Sequence, residues 1–330
     1  MMLKDKQTSI LEKNYFKDLE RIKQTIKNNQ YKAMVVVNST MILTYYEIGT
    51  IINQRKSWGN KYIERLAQDL KEFGKGFSYD SLKRMAQFSN EFTMQEIREQ
   101  AVPQIPWGTL LEIMKKSRSH KEMLWYINET HRNGWSRSMV LNQFKLKAYE
   151  RSLVEPITSS NILENKDSDL VHELFKDTYV FDFIDPNHIK NEKDLKEKML
   201  GHILEVLKEL GTGFSLVGKE FEIKVDDNEI YKIDLLLYHT KIHAYIVIEV
   251  KTGKFQPKDY GQLVFYVNAI DILEKTDEDN STIGLLLCKD ANRFVAQTTI
   301  KGSSIPVGIS KYKFLEELPE YLNKRLKEKK

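Results

Sequence analysis

Two carboxylates and a lysine stand where otherwise apolar segments end. In "AYIVIEVKTGKF", residues 244–255, the residues Tyr245, Ile246, Val247, Ile248 and Val250 suit a packed, pleated strand. Glu249 and Lys251 close that strand, two apart and therefore on one face. Just upstream, "KIDLLLYH" sets Asp234 at the head of another strand, with fourteen residues between it and Glu249. A turn around "YHTKIH" folds the two strands back on each other and brings the carboxylates together. Charges at the end of a core strand are costly unless paired, solvated or bound to something. Two adjacent carboxylates repel unless a cation lies between them. A hard divalent ion, Mg²⁺ or Mn²⁺, suits such an oxygen set, with the carbonyl of Val250 as a third protein ligand. Lys251 is then placed to orient or polarise an attacking water, or to stabilise charge on a phosphate oxygen. That arrangement is suited to metal-assisted hydrolysis. Gln262 and Tyr266, four apart on the next helix, share a face that could meet the phosphate or the water. The same residues also suit a cross-strand ion pair on a sheet edge, with Asp234 answering Lys232 or Lys251, and D-x14-E-x-K arises often by chance.

The elements that must hold these residues divide the chain in two. Residues 1 to about 150 read as helix. Ile63, Leu66, Leu70 and Phe73 mark one helical face, and Met34, Val37, Met41, Tyr45, Ile48 and Ile52 another. Gly74 and Gly76 end a helix, and Ser78 and Ser136 are N-cap candidates for later ones. Trp107 is placed to anchor the two-proline loop "AVPQIPWG". Lys83 and Arg84 early in a short helix are compatible with helix-turn-helix docking, and equally with a plain bundle kept soluble by charge. Composition turns polar at "SSNILENKDSDLV". A helix is expected over about 191–210, then the short runs "FSLVG", "KEFEIKV", "KIDLLLYH" and "AYIVIEVK", a helix from about Lys258, and further strands at "TIGLLLCKD" and "PVGIS". The expected fold class is α+β in two domains: an all-α domain over 1–158, a linker over 159–172, and an α/β domain over 173–330 whose sheet is flanked by helices.

Charge follows the same division. Residues 1–150 hold 25 Lys+Arg against 16 Asp+Glu, net +9, and the remainder 26 against 31, net −5. A basic front half attracts polyanions while the back half concentrates carboxylates. One cysteine, Cys288, excludes a disulfide framework and a Cys-based zinc site, and reads as a small hydrophobe in a strand. His202, His239 and His243 lack a metal-ligand spacing, and "GTG" and "KTGK" fail the phosphate-loop pattern. The terminal "NKRLKEKK" reads as a solvated helix end. The charged N-terminus has no signal-like core, and no apolar run approaches the ~18 residues of a membrane span. No membrane contact and a cytoplasmic location are therefore expected.

D…E-x-K on consecutive strands followed by a helix with "GQLVFY" resembles the PD-(D/E)xK nuclease superfamily. More narrowly, "GTGFSLVGKEFEIKV", "YKIDLLLYH", "IEVKTGKFQPKDYGQLVFYVNAID", "TIGLLLCKD" and "PVGIS" resemble the YhcG-like nucleases. "NSTMILTYYEIGTII", "LAQDLKEFGKGFSYDSLKRMAQF" and "QIPWG" match that family's N-terminal domain, so the likeness runs over roughly residues 20 to 325. It implies a restriction-endonuclease-like C-terminal core with a central mixed sheet, and a helical domain for nucleic-acid or partner binding. Asp234 and Glu249 would be metal ligands, Lys251 the catalytic lysine and Gln262 a helix-borne auxiliary. Ile233 replaces the nominal proline. For the acid of the first core helix Glu197, Glu205 and Glu209 are all available, although a helical wheel sets Glu205 opposite the apolar stripe. The expected activity is endonucleolytic cleavage of nucleic acid, DNA foremost, with a homodimer favoured if both strands of a duplex are cut. The competing expectation is a catalytically silent nuclease fold that binds DNA or serves as a scaffold in a defence or mobile-element system.

Overall fold

The computed structural model describes residues 2–55, 60–159, 174–224, 229–318 and 320. Apart from Ser159, the expected linker lies outside these residues, as does the terminal basic run. The chain forms two compact units, Met1–Asn142 and Gln143–Lys330.

The described part of the first unit is helical: α1 (Met2–Gln54), α2 (Asn60–Asp69), α3 (Tyr79–Glu91), α4 (Met94–Glu99), α5 (Trp107–Lys116), α6 (His120–Asn133) and the start of α7 (Arg137–Lys145). Ser78 caps α3 by accepting the Ser81 N–H, and Ser136 accepts the Met139 N–H, as their types predict. α1 lies on α3 because position 49 is glycine: a Cβ there would fall 2.0 Å from the Met85 carbonyl oxygen. Asn53 Nδ2 seals the contact, donating to the Ala86 carbonyl and Ser89 Oγ, each at 2.7 Å. Trp107 packs its ring against Tyr45 and Phe88.

The expected apolar stripe of α1 is buried only towards its C-terminal end. Ile52 is buried and Tyr45 and Ile48 pack with Leu82 and Met85, whereas Met34 is 62% exposed. Phe73 also departs from expectation at 68% exposed. α2 stops at Asp69 and the turn Leu70–Phe73 is a tighter 3₁₀ helix, which rotates Phe73 off the face kept by Ile63, Leu66 and Leu70. By length and composition alone the helical segment Arg21–Gln54 is apolar enough to cross a membrane, a longer apolar stretch than the sequence reading allows, and its C-terminal end is packed against Leu82 and Met85.

The second unit holds α8 (Ala148–Ser152), β1 (Ile157–Thr158), β2 (Thr178–Val180), α9 (Glu192–Gly201), α10 (Ile203–Leu210), β3 (Phe214–Lys224), β4 (Ile230–His239), β5 (Ala244–Lys254), α11 (Pro257–Leu273), β6 (Ile283–Asp290), α12 (Arg293–Ile300) and β7 (Val307–Lys313). Its sheet runs β1-β7-β6-β5-β4-β3, with β2 also on β7. β3, β4 and β5 are antiparallel neighbours, while β5, β6 and β7 are parallel. Parallel strands need crossovers, and α11 and α12 supply them on one face of the sheet; with α9 and α10 on the other, β6 is covered on both faces and reads as an unbroken apolar run. On one face Leu195, Met199, Val206 and Leu210 of α9 and α10 pack on Leu235, Leu237, Ile246, Ile248 and Val250. On the other, Leu263, Val267 and Ile270 of α11 and Ala296 and Ile300 of α12 cover Leu236, Val247, Leu286 and Cys288.

Two expectations need correction here. The helix expected over 191–210 is two helices, broken where His202 leaves helical geometry at φ −112°, ψ 40°, directly after Gly201. "FSLVG" and the described part of "KEFEIKV", up to Lys224, form one strand with a bulge between Leu216 and Gly218. The second compact unit begins at Gln143. Leu146 packs with Val180 and Leu318, the Arg151 guanidinium is buried on Glu209 at 2.5 Å, and Ile157 pairs with Ile309, all within the second unit.

Candidate active site

The β4–β5 hairpin pairs from His239↔Ala244 down to Leu235↔Ile248. One step further Asp234 faces Glu249, and there side chains replace main-chain partners. The Val250 N–H donates to Asp234 Oδ2 at 2.8 Å, and the Asp234 N–H donates to Glu249 Oε1 at 3.3 Å. The opposite edge of β4 is disturbed as well. β3 pairs Lys219 with Leu235 and Phe221 with Ile233, and Glu220 between them sits at φ +46°. That left-handed conformation costs a side-chain-bearing residue roughly 1–2 kcal/mol. Ile233 packs with the α11 layer and Leu235 with the α9 layer, although two residues apart they should share a face. The alternation slips at Asp234, which turns its carboxylate towards α9.

α9 meets it with a cation. Asn191 caps the helix by accepting the Asp194 N–H, which fixes Glu192 in the first turn and Lys196 one turn on. Lys196 Nζ lies 2.7 Å from Asp234 Oδ1 and 2.8 Å from Glu192 Oε1. Lys251 Nζ approaches Glu249 Oε2 at 3.6 Å and Glu192 Oε1 at 3.7 Å, and donates to Gln262 Oε1 at 3.0 Å. Gln262 Nε2 in turn donates to the Tyr266 hydroxyl at 3.1 Å. Three carboxylates and two ammonium groups thus interlock, with α11 buttressing Lys251.

The electrostatics are those of a crowded, half-dry cluster. Glu249 is 1% exposed, and burial, reinforced by the Asp234 charge, pushes its pKa up to about 8. Burial also raises Asp234, against the pull of Lys196. Burial works against the charge on Lys196, yet Asp234 and Glu192 beside it push its pKa up to about 12. For Glu192 burial is likewise outweighed, by Lys196 and Lys251, and its pKa falls.

Asp234, Glu249, Lys251, Gln262 and Tyr266 are therefore brought together. The alternative partner for Asp234, Lys232, pairs instead with Glu222 at 3.1 Å. Of the three candidate acids on the first core helices, Glu197 pairs with Lys193 on an exposed face, and Glu209 is buried on Arg151 and the Val180 N–H. Glu205 is half-buried in the first turn of α10. The acid that reaches the cluster is Glu192, and Lys196 reaches it too. The signal was available: Asn191 as a cap, followed by an i,i+4 Glu–Lys pair, marks a helix start with an acid in its first turn.

The donor set suits a hard divalent ion. Glu249 Oε2 is buried without a hydrogen-bond partner, and the main-chain N–H of Asp234 donates to the other oxygen, Oε1, so the two acidic residues adjoin at the hairpin end. Among the described residues no group of three or more His, Cys, Asp and Glu side chains is close enough together to hold a metal. Two carboxylates with water completing the shell is a set that Mg²⁺ accepts and a site for a structural zinc is not.

Comparison with known proteins gives concordant matches. Residues 172–327 match the YhcG PDDEXK nuclease domain, and residues 21–151 match the DUF1016 N-terminal domain. The chain is 28% identical over 323 residues to an Escherichia coli (strain K12) protein named "Putative nuclease YhcG", covering 86% of this chain and 85% of the relative. Among solved structures it is similar to a repair endonuclease from Pyrococcus abyssi, at 13% identity and TM-score 0.25 over 38% of this chain and 47% of the other. An EndoMS–double-stranded DNA complex gives 14% identity and TM-score 0.25 over 40% and 48%. This chain thus spans about half the length of those two solved chains.

Proposed function

Because this chain belongs to the YhcG-like nucleases, with a YhcG PDDEXK nuclease domain over 172–327 and a DUF1016 N-terminal domain over 21–151, we propose that it is an endonuclease dependent on Mg²⁺ or Mn²⁺ that hydrolyses phosphodiester bonds, with DNA as its substrate. The observation that carries this reading is the pairing of Asp234 with Glu249 at the end of their hairpin, one oxygen buried without a partner, beside Lys251. Asp234 and Glu249 would hold the ion, with the Val250 carbonyl on the same strand edge as a further ligand. The ion supplies activated water and neutralises phosphoryl charge when bound.

The chain's own residues do the rest. Glu249 and Asp234 would present their oxygens from a site closed to bulk water on the sheet side. Lys251, held by the Gln262 carbonyl oxygen, aims its ammonium at charge developing on a phosphate oxygen or steadies the attacking water. The Tyr266 hydroxyl fixes the Gln262 amide so that its oxygen, not its nitrogen, faces Lys251. The basic helical unit, with Lys83 and Arg84 exposed on α3, would deliver nucleic acid or a partner protein. Cutting both strands of a duplex would call for a homodimer, and a cytoplasmic setting fits such a substrate.

The test is incubation of labelled duplex, branched and single-stranded DNA and RNA with and without Mg²⁺ or Mn²⁺. Asp234→Ala and Lys251→Ala should each lower metal-dependent cleavage by at least about a hundredfold while the far-ultraviolet spectrum is kept. Unchanged cutting by either variant would defeat the assignment. Binding without cleavage of any substrate would favour a silent scaffold.

A further inference from the structure

Lys196 belongs to no expected part of this machinery, yet it makes the tightest contacts in the cluster. Its Nζ is 2.7 Å from Asp234 Oδ1 and 2.8 Å from Glu192 Oε1. Asp234 Oδ2 is already engaged by the Val250 N–H, so Oδ1 is the oxygen left for a cation, and Lys196 has it. We propose that Lys196 is a built-in competitor for the metal: bridged to Glu192, its ammonium holds the Asp234 oxygen that a divalent ion needs, and it must swing out when the ion enters.

Charge counting supports the exchange. Asp234, Glu192 and Glu249 can supply three negative charges against two from Lys196 and Lys251. Adding a divalent ion to that set without releasing Lys196 would leave four positive charges against three, in a site with little water to screen them. The exit exists, since the Lys196 side chain is 24% exposed. The device has two effects. It keeps the paired carboxylates neutralised and the strand ends together, and it sets metal affinity below what the bare oxygens would give. Lys196 is thus a positioning residue that acts through Asp234.

The inference rests on Asp234 and Glu249 being the metal ligands, and the experiment separates the two ideas. Mn²⁺ binding to the full chain, without nucleic acid, is measured by the electron paramagnetic resonance of free Mn²⁺ for wild type, Lys196→Met, Lys196→Arg and Asp234→Asn. Lys196→Met should bind Mn²⁺ about tenfold more tightly or better, because the ion no longer displaces a charge-assisted hydrogen bond. Lys196→Arg, which keeps a cation, should remain near wild type. If Lys196→Met unfolds, Lys196→Gln carries the same expectation. Equal or weaker binding by the neutral variants, with binding still lost in Asp234→Asn, overturns the competitor role alone. Binding by Asp234→Asn equal to wild type, or no binding by any variant, overturns the metal assignment and the competitor with it.

Discussion

Replacing Glu249 by glutamine should make the nuclease unit more stable in alkali, against the usual effect of altering a buried active-site carboxylate. Glu249 ionises at about 8 in the folded protein and near 4.5 in the unfolded chain. Between those values the native state keeps a proton that the unfolded state has lost. Stability therefore falls as pH rises through this window, with a slope of up to about 1.4 kcal/mol per pH unit. Below 4.5 both states are protonated and the residue costs nothing; above 8 the full penalty, roughly 4 to 5 kcal/mol, is present. Asp234, also raised, adds a contribution of the same sign. His239, whose pKa burial lowers, pulls the other way, so wild type alone would not isolate the effect. The difference between Glu249→Gln and wild type does, because glutamine copies the protonated acid in shape and charge. Urea unfolding between pH 5 and 9, in chelator, should show the two proteins nearly equal at pH 5 and the variant ahead by several kcal/mol at pH 9. A difference that does not change with pH, or a variant less stable at pH 9, would refute the reasoning.

Two further predictions concern the scaffold of the same unit. Arg151→Met should cost about 3–5 kcal/mol in chemical unfolding, since it strands the Glu209 carboxylate in the interior, and Arg151→Met with Glu209→Leu should recover much of the loss. Gly308→Ala should destabilise by about 1–3 kcal/mol or more, because a Cβ would fall 2.0 Å from the Phe175 ring, whereas Gly253→Ala, with open space around it, should leave the unfolding midpoint within about 0.5 kcal/mol.

Much of this architecture was legible because local rules and tertiary contacts agree. β4 and β5 announce themselves as apolar runs since they are packed on both faces, and the caps at Ser78 and Ser136 are satisfied as their side chains predict. Bringing Asp234 next to Glu249 followed from hairpin folding alone. What escaped were departures from regular geometry. No periodicity reveals that Gly201 and His202 break a helix, or that the strand alternation slips at Asp234 to aim it at α9. Glu192 and Lys196 do not stand out along the apolar flank of one long helix, because the acid that reaches the cluster sits in the first turn of a shorter one. Nor does composition show that residues 143–158, helix-like in sequence, place Arg151 on Glu209 of α10 and Ile157 beside Ile309 of β7.

At the open end of the hairpin, the groups that would do chemistry also fasten the backbone. Asp234 accepts the amide of Val250 and Glu249 accepts that of Asp234, in place of main-chain carbonyls. Any event that changes the charge of either acid therefore pulls on the zip of the two strands. Proton loss, ion entry or substitution should be felt as breathing of the Val250 amide, and hydrogen exchange there should quicken in Asp234→Ala while amides near Tyr238 stay protected. Reactivity and local rigidity in this protein share the same two carboxylates.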